Sequence, residues 1–327
     1  MRTTLENILL YRSHIMAIAA LWILGSHCYY LGLWNDLSWF KPLLAYGWAG
    51  VDVFLFLSGI GIGFSLSKRP SATNFFSKRF NRIFPTFFIA IAIEHLIYNT
   101  DVVSFWLDVS TISYWLPLIG IHSKSTFWYV SAIFVFYFIA YFYYKYCFVK
   151  NPLLFTIVIS ILGISISQLA PSIHLFTTRI PIFFIGMYFS LYLKKEIKTI
   201  SFILLSVLCY ITLVFCAWKY GGAVLSEKYL PFYAFIFITP GFVFLLSNVF
   251  FMLDKTRYGV IVDKGVDWIG KLSLELYLIH WILLCAINAF DYHMPWGIFV
   301  LLSLFLSYIL HRLVNILIRG QRILQRY

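Results

Sequence analysis

Several ionisable side chains lie inside long apolar stretches of this sequence, where taking a charged or polar group out of water is unfavourable. They are His14, His27, Asp52, Glu94, His95, Arg179, Glu275, His280 and His311. Any one such histidine is more commonly a packing residue whose ring hydrogen-bonds to a neighbouring helix. As a set, however, imidazoles, carboxylates and a guanidinium group are the side chains that general acid–base catalysis and anion binding use.

The stretch YRSHIMAIAALWILGSHCYY, residues 11–30, holds the first two of these histidines. If it is helical, Arg12 and His27 lie about 22 Å apart along the axis and about 60° apart around it, so one face can carry both. His14 would point about 140° away from His27 on the same helix, and so away from the face that carries Arg12 and His27. We therefore favour His27 over His14 as a general base, a role that suits a neutral imidazole.

A basic cluster lies in FFSKRFNRIFPTFF, residues 75–88. Arg79 and Arg82 are three positions apart and share a helix face, and paired guanidinium groups suit phosphate oxygens. Lys78 adjoins them. The cluster could equally act only as a topology determinant and lipid headgroup anchor, so both interpretations stay open.

Other apolar stretches carry single polar groups. Arg179 lies in TTRIPIFFIGMYFSLYLKK and requires a partner, either a protein carboxylate or an anionic or sugar substrate. Trp128 and Ser131 lie in FWYVSAIFVFYF, whose aromatic residues also fit a membrane-interface belt. Asp52 is the third residue of GVDVFLFLSGIGIGFSLSKR, residues 50–69, where glycines at 59, 61 and 63 allow a helix or a ligand to approach closely.

The elements that position these groups must be membrane helices. The chain of 327 residues is 61% hydrophobic and only 12% charged, far from the balance of a soluble domain. A bilayer core of about 30 Å requires roughly 20 apolar residues per helical span. The sequence predicts an all-α polytopic bundle in a single domain, residues 1–327, with ten spans at 14–33, 46–66, 84–99, 126–148, 153–170, 173–193, 200–218, 230–252, 271–290 and 297–318.

The distribution of charge predicts the orientation of the bundle. With both termini in the cytoplasm, all but five of the 25 Lys and Arg residues fall in cytoplasmic loops or at span ends, as the positive-inside rule expects. The exceptions are Lys41, Lys124, Arg179, Lys219 and Lys228. We therefore assign the net charge of +12 mainly to topology, and expect no nucleic-acid partner. The five cysteines show no metal or disulfide spacing, so we expect no metal site.

The chain resembles the membrane-bound acyltransferase 3 family over nearly its whole length. The shared features, in chain order, are the histidine of the first span and the motifs G-V-D-x-F-x-F-L-S-G, F-x-K-R-F-x-R-I-x-P, F-W-Y-x-S-A, R-x-P-x-F-x-x-G and S-L-E-L-Y-L-I-H. One feature departs from the family. A basic residue should precede the histidine with ten residues between, but Met16 stands there, and the nearest basic candidate is Arg12, about one helical turn earlier.

The resemblance implies O-acylation, usually O-acetylation, of an extracytoplasmic glycan such as O-antigen, capsule or exopolysaccharide, with acetyl-CoA as the cytoplasmic donor. The family's essential histidine maps onto His27, and its Arg-x-x-Arg pair, with a proposed role at CoA, maps onto Arg79 and Arg82. Some relatives carry a soluble SGNH-type domain after the membrane part. We expect none here, because the sequence ends at RILQRY.

These expectations combine into one working scheme. His27 acts as base or as acyl carrier, and Glu275 or Asp52 orients its ring. The expected donor-binding residues are Arg79, Arg82, Lys78 and Arg12, and the expected acceptor-binding residues are Arg179, Ser131 and Trp128. We expect the protein in a bacterial cytoplasmic membrane, with acyl-CoA, a glycan or lipid-linked glycan and membrane lipids as partners, and we consider a homo-oligomer. The alternative functions are a transporter or flippase of a glycan or lipid-linked sugar, and an assembly partner in an envelope complex.

Overall fold

The computed structural model describes residues 2–30, 40–123, 127–192, 195–256, 259–290 and 294–324. These ranges are almost entirely helical, and their two strands, β1 (Arg2–Thr4) and β2 (Glu196–Lys198), pair antiparallel. The helices are α1 (Leu5–Leu10), α2 (Arg12–Tyr30), α3 (Lys41–Ala45), α4 (Gly50–Ser67), α5 (Ala72–Tyr98), α6 (Val102–Val109), α7 (Trp128–Tyr143), α8 (Pro152–Leu169), α9 (His174–Thr177), α10 (Ile180–Phe189), α11 (Thr199–Tyr220), α12 (Gly222–Glu227), α13 (Leu230–Leu253), α14 (Gly259–Lys271), α15 (Ser273–Ala289) and α16 (Trp296–Leu324).

Short π-helical and 3₁₀ segments extend or join several of these elements. A π-helical turn, Tyr144–Phe148, continues α7. The 3₁₀ segments are Gly47–Ala49, Ser113–Ile119, Pro171–Ile173 and Ser190–Tyr192.

Eight helices among the described residues are long and apolar enough to cross a membrane, and up to ten cross if each of two bent helix pairs counts as one span. The predicted all-α membrane bundle is therefore confirmed. The helix α2 is not among the eight, because its arginine and two histidines lower its mean hydropathy. It lies inside the bundle instead, packed against α4, α14 and α15, where protein rather than lipid surrounds its polar groups.

The third predicted span, 84–99, was too short at its start. The Ser71 hydroxyl accepts a hydrogen bond from the Asn74 backbone N–H at 3.3 Å and caps α5 there. The helix then runs unbroken to Tyr98, so it contains the basic cluster, which lies before the start of the predicted span, and Arg79 and Arg82 lie on one helix as expected. Charged residues made this first part look like a connection, although a cap and not a charge decides where a helix begins.

The structure also contains two bent helix pairs that the sequence did not predict. Helix α6 and the 3₁₀ segment Ser113–Ile119 meet at 97°, and residues 263–271 of α14 meet α15 at 67°. Helix α14 is held to α2 by side chains: the Ser13 hydroxyl donates to Asp267 at 2.6 Å, and His14 Nε2 contacts Asp263 at 2.7 Å.

Helices α4 and α10 pack closely along one another, and small residues allow this close approach. A Cβ atom at Gly59 would overlap the Phe183 carbonyl oxygen, and one at Gly186 would overlap the Phe56 carbonyl oxygen. Gly61 differs, because a Cβ atom there would meet only the Arg12 guanidinium at ordinary contact distance. The predicted small-residue seam therefore allows close packing at Gly59 and Gly63, and borders the half-buried Arg12 at Gly61.

Candidate active site

Helix α2 defines two ends of the bundle. Arg12 begins the helix and His27 lies in its last turn. We call these the basic end and the histidine end. The neighbouring helices agree with this division, since Arg82 of α5 lines a cavity with Arg12, whereas Arg179, before α10, lines a cavity with His27.

The ring of His27 contacts a second histidine. His27 Nδ1 lies 2.8 Å from His280 Nε2, and the two ring planes are inclined by only 18°, with their centroids 4.9 Å apart. His280 is almost fully buried in α15. Its other nitrogen, Nδ1, lies 2.8 Å from the carbonyl oxygen of Leu276, one turn earlier in the same helix.

This chain of contacts fixes where the protons lie when both rings are neutral. A carbonyl oxygen can only accept a hydrogen bond, so His280 Nδ1 carries the proton and His280 Nε2 is an acceptor. His27 Nδ1 must then be the donor between the two rings. His27 Nε2 is left with a free lone pair, which is the form that a general base or a nucleophile requires.

The orienting contact expected from Asp52 or Glu275 is therefore made by His280. Asp52 Oδ1 instead lies 3.2 Å from Arg179 Nε, and Glu275 Oε1 lies 2.8 Å from His311 Nδ1. His280 was visible in the sequence as a buried ionisable residue at the end of the S-L-E-L-Y-L-I-H motif. Its pairing with His27 was not, because the two residues are 253 positions apart.

Arg179 is enclosed by a carboxylate and aromatic faces. Its side chain is 2% exposed and that of Asp52 is 4% exposed, so their charges balance away from solvent. Three rings lie 4.9 to 5.5 Å from the guanidinium carbon, those of Phe232, Trp128 and Trp48. Cation–π attraction adds to the ion pair at such distances. The sequence-based requirement for a buried partner of Arg179 is thus met by a protein carboxylate.

A cavity of about 390 Å³ lies between the histidine pair and the Arg179 cluster. We call it the histidine cavity, and its wall includes His27, His280, Arg179, Trp128, Tyr277 and Trp281. It joins a free imidazole nitrogen, a buried cation and aromatic surface in one space. Ser131, predicted to contact the acceptor, is buried within α7 and lines none of the four cavities described here among the described residues.

Two adjoining cavities of about 400 and 220 Å³ occupy the basic end, and together we call them the basic cavity. Arg12 and Arg82 line both parts, while Lys78 and Arg79 line the smaller part. The four residues predicted to bind the donor are thus brought together in space. Met16 lines the larger part, so Arg12 reaches the same cavity as the residue at the family's usual basic position.

Unpaired donors mark the basic cavity as suited to an anion. The Nε atoms of Arg12 and Arg79 are buried and have no hydrogen-bond partner within the described part of the chain. The Arg79 Nη1 group donates to the Phe75 carbonyl at 2.6 Å, and its guanidinium carbon lies 3.5 Å from the Phe75 ring centroid. Guanidinium groups held in this way can accommodate phosphate oxygens without first being ordered.

A tyrosine pair separates the two cavities. Tyr129 lines the basic cavity and Tyr277 lines the histidine cavity, with ring centroids 5.3 Å apart. The Tyr277 ring also lies 5.9 Å from that of His280. Any group that passes from the basic cavity to His27 by this route must displace or slide between these two rings.

Fold and site together define a polytopic helical membrane protein with a buried imidazole base and a cationic cavity on opposite sides of one bundle. The chain belongs to the acyltransferase 3 family, because the family's sequence model, described as an acyltransferase domain, matches residues 15–312. The match includes Arg79, Arg82, His27 and His280, and makes this chain a multi-pass membrane acyltransferase. Neither the curated proteins nor the solved structures gave a match.

Proposed function

We propose that the protein moves an acyl group, acetyl in the simplest case, from acyl-CoA to a hydroxyl of an extracytoplasmic glycan. The observation that carries this proposal is the His27–His280–Leu276 chain, which leaves His27 Nε2 unprotonated beside a cavity. Acyl transfer from a thioester to a hydroxyl needs such a nitrogen to accept the hydroxyl proton.

In the proposed reaction, His27 acts as a general base on the acceptor hydroxyl. Nε2 takes the proton of the acceptor hydroxyl while its oxygen attacks the thioester carbonyl carbon. The carbon–sulfur bond breaks, and the CoA thiolate leaves and receives the proton from the imidazolium. In the alternative, Nε2 itself attacks the thioester carbonyl carbon, the carbon–sulfur bond breaks, and the CoA thiolate leaves. The acceptor hydroxyl then attacks the acyl carbon, the acyl–nitrogen bond breaks, and the hydroxyl proton passes to the thiolate. Both routes use the same free nitrogen.

The basic cavity is the proposed binding site of the acyl-CoA donor. The CoA phosphates would bind Arg12, Lys78, Arg79 and Arg82, which line this cavity. Arg12 and Arg79 each contribute a buried Nε donor that has no partner in the described part of the chain. The thioester arm would extend past Tyr129 and Tyr277 toward His27. Sealing this route around the arm would keep water from hydrolysing the thioester.

We also propose that the basic end faces the cytoplasm in a bacterial cytoplasmic membrane. Arg12, near the N terminus, and Ile318, near the C terminus, line the same cavity, which supports placing both termini on one side. The excess of Lys and Arg at that end agrees with the positive-inside rule. The donor would then enter from the side where CoA is made.

Acetyl transfer by purified protein in lipid nanodiscs tests the proposal. We expect His27→Ala to lose at least about a thousandfold in transfer of radiolabel from acetyl-CoA to extracted glycan, since it removes the base. His14→Ala is the matched control, because His14 lies on the same helix and contacts Asp263 instead. Equal transfer by His27→Ala and wild type would refute the proposal.

A further inference from the structure

A further cavity of about 840 Å³ adjoins the histidine cavity. Sites for small molecules typically measure about 300–1,000 Å³. The space forms where the end of α5 meets α6, the 3₁₀ segment Ser113–Ile119 and α15. We call it the hydroxyl cavity, after the lining side chains of Tyr98, Thr100, Ser104, Ser113 and Ser123.

A polar network holds the wall of the hydroxyl cavity in place. His95 Nε2 lies 2.9 Å from Asp108 Oδ2, and the Thr100 hydroxyl contacts His95 Nδ1. The Ser113 hydroxyl donates to the other oxygen of Asp108. These contacts tie the bent pair of α6 and the 3₁₀ segment to the end of α5. The wall is therefore ordered before any ligand arrives, which lowers the entropic cost of binding.

Trp281 forms a wall that the hydroxyl cavity shares with the histidine cavity. Its ring meets the His27 ring edge-on, with the centroids 5.4 Å apart. Its indole Nε1 is buried and has no hydrogen-bond partner in the described ranges. A ligand that packs against this indole in the hydroxyl cavity would therefore be next to the catalytic imidazole.

The charge of the hydroxyl cavity selects against the donor substrate. Carboxylates of Glu94 and Asp108 line it, and no Lys or Arg does so among the described residues. Phosphate groups would be repelled there and attracted to the basic cavity. An uncharged sugar ring fits, because its hydroxyls can donate to carboxylates and exchange hydrogen bonds with Ser and Thr, while its C–H face can pack on an indole.

Building on the proposed function, we propose that the hydroxyl cavity binds an uncharged sugar residue of the acceptor glycan and presents one hydroxyl to His27 past Trp281. The two substrates then approach His27 from different sides, with the donor arriving between the tyrosines and the acceptor arriving from the hydroxyl cavity. This arrangement keeps the acceptor out of the donor route.

Direct sugar binding tests this inference without requiring catalysis. Saturation-transfer difference NMR on the full chain in nanodiscs would use methyl glycosides of glucose, galactose and N-acetylglucosamine as probes. Leu107→Trp and Ser123→Tyr fill the hydroxyl cavity from two different segments. Val103→Trp is the matched control, because Val103 lies on the same helix as Leu107 but is 69% exposed.

We expect at least one glycoside to give a signal with wild type, with Val103→Trp and with His27→Ala, and at least a fivefold weaker signal with either filling variant. No signal from wild type, or an unchanged signal in a correctly inserted filling variant, overturns the inference. Using two filling variants guards against one of them failing to fold, which size-exclusion profiles would reveal.

Steady-state kinetics separate this inference from the proposed function. In active protein, the filling variants should raise the KM for the acceptor about tenfold and leave the KM for acetyl-CoA unchanged. If His27→Ala abolishes transfer but filling leaves the acceptor KM unchanged, the sugar site is wrong and the acyl transfer stands. If the glycosides bind as expected but wild type transfers no acyl group, the proposed function is wrong instead.

Discussion

Replacing His280 with phenylalanine should slow acyl transfer while leaving the binding of acetyl-CoA intact. The phenyl ring keeps most of the packing against His27 but offers no acceptor to the His27 Nδ1 proton. The buried donor then lacks a partner, and the alternative tautomer, with the proton on Nε2, becomes competitive. That tautomer cannot take a proton from a hydroxyl.

The size of the effect follows from the single hydrogen bond of 2.8 Å that is lost. Leaving a buried donor unsatisfied costs about 1–3 kcal/mol, and because about 1.4 kcal/mol corresponds to a factor of ten, kcat should fall about 5- to 150-fold. The KM for acetyl-CoA should not change, since His280 lines the histidine cavity and not the basic cavity. A lower kcat with an unchanged KM for acetyl-CoA distinguishes a positioning role of His280 from general damage to the fold.

His280→Gln provides the matched comparison. The glutamine amide can accept from His27 Nδ1 through its oxygen and donate to the Leu276 carbonyl through its nitrogen. We expect the kcat of His280→Gln to stay within about fivefold of wild type. A fivefold change corresponds to about 1 kcal/mol, the net energy of one neutral hydrogen bond. Initial rates of labelled acetyl transfer at saturating acceptor would rank the variants. A purely packing role predicts the opposite order, with phenylalanine better than glutamine, and that order would refute the reasoning.

Three further predictions concern the donor site, the buried ion pair and the helix seam. Arg82→Gln should raise the KM for acetyl-CoA about 10- to 100-fold in steady-state assays, because it removes a charge-assisted phosphate contact worth about 1.5–3 kcal/mol, and an unchanged KM would contradict this. Asp52→Asn should lower stability in thermal unfolding by about 3–5 kcal/mol, because Arg179 is left buried without its carboxylate, whereas the double variant with Arg179→Met should recover much of that loss. Gly59→Ala should lower the melting temperature, because overpacking costs about 1–3 kcal/mol. Gly61→Ala should leave the melting temperature unchanged, since its Cβ atom meets only ordinary contacts. Equal shifts in the melting temperature of both variants would contradict the assigned packing.

The positions of the helices were largely predictable because lipid imposes a length and a composition on each span. The prediction failed where those rules stop applying. Helix α5 begins before its apolar part, at the Ser71 cap, and α6 with its 3₁₀ partner is too short to be recognised as a span. The bend of 97° between them depends on contacts to α5 that no local pattern encodes.

The residues of the site were more predictable than their pairings. Charge, burial and the family motifs singled out His27, Arg79 and Arg82, and the structure places the arginines together around the basic cavity. The same rules offered Asp52 or Glu275 as the partner of His27 and missed His280, which the structure places there. Partnership between distant helices depends on how the bundle packs, and a single sequence contains no record of that.

Transfer across sealed, inverted membrane vesicles tests the central claim most directly. Acetyl-CoA labelled in its acetyl group would be supplied only outside the vesicles, at the face that is cytoplasmic in the cell, with acceptor glycan enclosed in the lumen. We expect label on the enclosed glycan with wild type and with His14→Ala, and none above background with His27→Ala. Equal labelling of the enclosed glycan by His27→Ala and wild type would contradict it.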